Sequence, residues 1–91
     1  MSGFASQTGG YKNITATANV SPIPCKVLGV FVSTETTATV QLYDSATTTT
    51  TAPITGAIAV AAGTWYTIPV GTSAGLYVAI TGTADVTVVF A

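Results

Sequence analysis

Charge is what this chain has least of. Of 91 residues only Lys12, Lys26, Glu35, Asp44 and Asp85 are ionised near neutrality, for a net charge of −1. That is 5% of the chain against roughly a quarter in an ordinary soluble domain. There is no arginine and no histidine. Without histidine a Ser-His-Asp arrangement cannot be assembled, and zinc of the usual kind lacks ligands. Two lysines cannot neutralise a phosphate backbone, which argues against a nucleic-acid partner. Cys25 is the single cysteine, so no internal disulfide forms. Long apolar runs are missing too. Mean hydropathy is +0.62, yet the most apolar stretch, Ala57–Ala62, is too short for a membrane span. The first ten residues, MSGFASQTGG, have neither the basic region nor the apolar core of a signal peptide. Glu35, Asp44 and Asp85 fall at turns and read as solvated charges. No cofactor, metal or catalytic residue is expected, and enzyme is the weakest functional class.

What is present is alternation. Leu76, Val78 and Ile80 alternate with Tyr77, Ala79 and Thr81, and Val86, Val88 and Phe90 alternate with Thr87 and Val89. Apolar–polar alternation on both sides of a short loop is the signature of a β-hairpin with one buried face. The same pattern occurs 48 positions earlier, in Leu28, Val30, Val32 and then Ala38, Val40, Leu42. The connections Ser33–Thr37 and Thr81–Asp85 have equal length, and an Ile-Pro step precedes each unit. Two hairpins built alike are expected to cover each other's apolar faces.

Residues 1–10 fit no period and read as a flexible N-terminal arm with Phe4 as its one large side chain. Residues 11–91 form a single domain. Tyr11–Val20 reads as a strand with Ile14, Ala16, Ala18 and Val20 inward, ended by Pro22 and Pro24. The threonine run in Asp44–Pro53 has no buried face and reads as a mobile or partner-ordered loop. Ile54–Val60 and Trp65–Val70 are two further strands, the second with Tyr66, Ile68 and Val70 on one side. The expectation is an all-β Greek-key or jelly-roll-like β-sandwich of about seven or eight antiparallel strands.

With Leu28, Val30 and Val32 inward, Phe31 and Tyr43 face outward, and Tyr77 and Val89 do the same in the second unit. Val27 falls opposite Tyr43 on that outer side. Trp65 is out of phase with Ile68, which places it outward or at a sandwich end. There it caps the core, anchors an interface, or joins Tyr66 in a sugar-stacking platform. Half-apolar outer faces on a nearly uncharged chain call for cover by other molecules or by an arm or loop of the same chain. The interface candidates are Phe4, Tyr11, Phe31, Tyr43, Trp65 and Tyr77.

The closing GLYVAITGTADVTVVFA, the Ile-Pro steps and the VQLYDS segment resemble small β-sandwich virion proteins of tailed bacteriophages, the head decoration or cement proteins and related accessory proteins. The likeness lies in strand pattern and low charge from Tyr11 onward. It implies a non-enzymatic protein made in the host cytoplasm and carried on the capsid exterior. It further implies a homo-oligomer, a trimer favoured, bound to the major capsid protein or other virion proteins, with the arm making part of the contact. No membrane partner is implied. A neck, tail-tip or fibre module and a carbohydrate-binding module using Trp65 and Tyr66 are the alternatives.

Overall fold

The computed structural model describes residues 10–91; of the expected arm, residues 1–9 with Phe4 lie outside the described residues, and Gly10 belongs to the first strand. The chain is all-β. Among the described residues six strands form one antiparallel, open sheet: β1 (Gly10–Ile14), β2 (Ala18–Ser21), β3 (Lys26–Tyr43), β4 (Ile58–Ala59), β5 (Thr64–Gly71) and β6 (Leu76–Phe90).

The two expected hairpins do not form. Each is instead one long strand, of 18 residues in β3 and 15 in β6, and the two pair with each other from Val27↔Phe90 to Tyr43↔Tyr77. The segments expected to reverse the chain, Ser33–Thr37 and Thr81–Asp85, run past one another instead. They are threonine-rich with one glycine and no proline, so extended backbone suits them better than a tight turn. Each apolar set therefore meets the other copy of the motif rather than the second arm of its own.

Three irregularities interrupt this ribbon, after Val27, after Val32 and after Thr36, and each adds one residue to β3. Bulges of this kind bend a strand and increase its twist. The first corrects the inward assignment of Leu28 and the outward one of Val27. Leu28 is the extra residue and is 37% exposed, while Val27 takes the core position at 1%. Beyond it the alternation holds: Val30, Val32, Val40, Leu42, Leu76, Val78, Val86 and Val88 are all sealed from solvent within one cluster. They lie on one face of one sheet, so the sheet curves around that face. Burying each such side chain contributes about 1.5–3 kcal/mol.

The flanking strands divide between the two ends of the ribbon. β1 pairs with the C-terminal part of β6 and β5 with the N-terminal part of β3. At the other end β2 pairs with the N-terminal part of β6 and β4 with the C-terminal part of β3. The expected Tyr11–Val20 strand is thus two strands, starting one residue earlier at Gly10 and broken at Thr15–Thr17 where its partner β6 bends. Thr17 bridges the break: its Oγ1 accepts the Ile80 N–H at 2.9 Å and donates to the Ile80 carbonyl at 3.2 Å.

These pairings follow a pseudo-twofold relation. β1, β2 and β3 correspond to β4, β5 and β6, and the axis passes between the Glu35↔Ala84 and Thr36↔Thr83 pairs. The 48-residue repeat is the sequence trace of that symmetry.

The threonine loop is hydrogen-bonded to its own chain. Ser45 is buried, and its Oγ accepts the N–H groups of Thr47 and Thr49. Asn19 Nδ2 donates to the Ser45 and Thr47 carbonyls. Asp44 accepts the N–H groups of Ser73, Ala74 and Gly75 and the Ser73 hydroxyl. Asp44 is therefore a clamp between two loops and not a free surface charge. Gly75 is required beside it, because a Cβ there would sit 2.7 Å from the Ser45 carbonyl oxygen.

Candidate functional site

The outer face at the β1–β6–β3–β5 end of the sheet is built of two cross-strand rows. One runs Trp65, Phe31, Thr87, Asn13 and the next runs Thr67, Gly29, Val89, Tyr11. Neither row contains an ionised side chain. Asn13 Nδ2 donates to the Asp85 carboxylate at the rim, and to Thr87 Oγ1.

Gly29 shapes this face. A Cβ there would stand 2.6 and 2.8 Å from two carbons of the Trp65 ring, so the indole lies directly over the glycine. Trp65 Nε1–H donates to Thr67 Oγ1 at 2.8 Å, which fixes the ring's orientation. The indole stays 45% exposed beside Phe31 at 37%, with Tyr11 at 76% on the far edge. A ring already held in place loses little side-chain entropy on contact with a partner, the property that makes Trp and Tyr effective anchors.

Of the expected interface residues, Tyr11, Phe31 and Trp65 thus share one face. Tyr43 and Tyr77 lie at the opposite end of the ribbon as a direct cross-strand pair, ring centroids 5.7 Å apart. They are half-buried, and their own chain lies alongside: Pro53 bridges to Tyr43, and Asn19, which holds the threonine loop, is the cross-strand neighbour of Tyr77. Trp65 and Tyr66 form no joint platform. Successive strand residues point to opposite faces; Tyr66 packs against the core, and its hydroxyl accepts the Ala61 N–H at 2.8 Å.

Compared with protein-family models, curated proteins and solved structures, the chain matches none of them.

Two open clefts flank the end of the sheet. The larger, about 550 Å³, is lined by Pro24, Cys25, Lys26, Gly71, Thr72 and Ala91. Cys25 there is half-buried, and its backbone N–H donates to Thr72 Oγ1 at 3.0 Å. The smaller, about 280 Å³, runs past Leu28 and Pro69. Among the described residues no three His, Cys, Asp or Glu side chains converge.

Sequence reading overlooked Gly29 and took Asp44 for a solvated turn charge. A lone glycine within an apolar strand is a recognised mark of close approach or a bulge, so Gly29 carried a usable signal. Asp44 carried none, since its partners lie 29 to 31 positions away.

Proposed function

We propose that this chain is a non-enzymatic structural protein of a tailed-phage particle, a head decoration or cement protein that docks on coat subunits through the Tyr11–Phe31–Trp65–Val89 face. The observation that carries the reading is the locked, uncharged aromatic surface around Gly29. Docking such a face avoids the desolvation cost of burying charges, and repetition over many lattice sites multiplies a weak contact by avidity. A trimer on the capsid exterior is the arrangement the sequence resemblance implies.

The strand order supports the same reading by analogy. Divided at the bend, the six strands give eight segments in two sets of four. One set runs 10–14, 86–90, 26–32, 64–71, and the other runs 18–21, 76–80, 39–43, 58–59. We read this as a two-layered jelly roll, an architecture used by viral capsid and lectin domains. Function still rests on the face and not on the architecture.

Cryo-electron microscopy of purified particles containing the chain tests the proposal. Density on the capsid faces, lost with Trp65→Ala in a variant that still folds, is the expected result. Density confined to the portal vertex or tail would reassign the chain to a neck, tail-tip or fibre component. Absence from particles together with a glycan-array signal abolished by Trp65→Ala would replace the proposal with carbohydrate binding on Trp65.

A further inference from the structure

The strand ladders have an unusual distribution. Take the first half as residues 10–43 and the second as residues 53–91. Every strand-to-strand ladder among the described residues, β1–β6, β2–β6, β3–β4, β3–β5 and β3–β6, joins one half to the other. No described strand is laddered to another of its own half. The shared core follows suit, with Val30, Val32, Val40 and Leu42 from one half against Leu76, Val78, Val86 and Val88 from the other. Within one chain the two halves stand to each other as the subunits of an intertwined dimer do.

From this we infer that the chain exchanges halves with a second copy of itself, the first half of each pairing with the second half of the other. The occupant is fixed by the structure: whatever completes one half must present the β3 or β6 ladder, and an identical chain presents both. All five ladders and the core are reproduced in the exchanged dimer. Its formation therefore depends only on concentration and on the segment that must open, which is the ordinary basis of domain swapping. That segment is Asp44–Ala52. It turns the chain between the bridged residues Tyr43 and Pro53, and is tied down through Asn19, Ser45 and Asp44. In the single chain the linked halves meet at high effective concentration, so the monomer dominates when dilute. The inference is independent of the particle and of the Trp65 face.

The test uses the full chain, unfolded in denaturant and refolded at low and at high protein concentration. Size-exclusion chromatography with light scattering is expected to show a dimer whose share grows with concentration during refolding. The dimer is then made from an equimolar mixture of ¹³C-labelled and unlabelled chains and examined for isotope-filtered contacts. Contacts between Val40 and Ile80 of different chains are expected, because the two are strand partners. In a second variant Ser45–Ala52 is deleted. One residue then separates Tyr43 from Pro53, below the two-residue minimum of common hairpins, and the monomer is expected to disappear in favour of dimers or higher closed forms. Dimers whose Val40–Ile80 contacts all lie within one chain would overturn the inference. So would a full-length chain that stays monomeric at every concentration, whether or not the deletion variant folds.

Discussion

Thr37 and Gly82 occupy the centre of the β3–β6 ribbon with the same rare backbone hand, φ +46° and +80°, and the Thr37 carbonyl lies where a Gly82 side chain would go. Here the expected turns became a bend. Glu35 supports it by accepting the Ala38 N–H at 3.3 Å, and the hydroxyls of Thr39 and Thr81 meet just beyond.

Gly82→Ala should therefore be costly, by about 1–3 kcal/mol, since it adds both a strained φ and a collision with backbone. Gly56 is the control, with nothing within 4 Å of a Cβ placed there. Gly56→Ala should be neutral or stabilising by up to about 1 kcal/mol. Urea unfolding of the two variants measures the difference, and equal midpoints would refute this account of the bend.

The bulge at Leu28 makes a second contrast. Leu42→Ala removes a sealed side chain and should cost about 2–5 kcal/mol. Leu28→Ala, at an exposed position, should cost less than about 1 kcal/mol. A period-two reading of the sequence expects both to be severe, so chemical denaturation decides between that reading and the bulge.

These two sites show how far the sequence could be read. Alternation identified Val30, Val32, Val40, Leu42, Leu76, Val78, Val86 and Val88 as core, because which face a residue joins depends mainly on its immediate neighbours. It also revealed the repeat. Pairing was not legible: Val30 meets Val88 and not Val40, and a period of two reads the same in a hairpin and in a continuous strand. Leu28 was misread because one added residue reverses facing on one side of it. For the exposed aromatic face, phase put Phe31 and Trp65 outside, but their adjacency needed the β3–β5 register. The indole's seat on Gly29 needed the three-dimensional structure.

Trp65 is the chain's single tryptophan, so its fluorescence reports this face alone. Gly29→Ala should displace the indole from Thr67 and shift its emission, and under the proposed function should reduce incorporation into particles, as is expected of Trp65→Ala. Thr67→Val removes only the acceptor of the indole N–H. It should give a smaller spectral shift with little loss of stability. An unchanged spectrum for Gly29→Ala in a folded protein would contradict the described seat of the ring.

Asp44 predicts an acid-sensitive clamp. The Ser73 and Ala74 N–H groups, then the Ser73 hydroxyl, lower its pKa from 3.8 to about 2, against a small opposing effect of burial. A carboxylate depressed in the folded state stabilises above its unfolded pKa and loses that contribution as pH falls through the folded one. Stability should thus decline between pH 3.8 and about 2. Asp44→Asn should be less stable than the parent at neutral pH and should decline less over that window. Parallel pH profiles for the two proteins would exclude the clamp.

Because each ladder spans the two halves, β1, β2 and β3 emerge from the ribosome with nothing to pair with until the second half follows: β3 meets β4 and β5 first, and β1 and β2 wait for β6. Folding must wait for synthesis to be nearly complete. With so many distant contacts it should be slow for a chain this small, on the millisecond-to-second scale of high-contact-order β proteins. During that interval the uncharged β3 segment is a bare strand, and a chaperone, or a neighbouring nascent chain at the same stage, has its best opportunity to reach it.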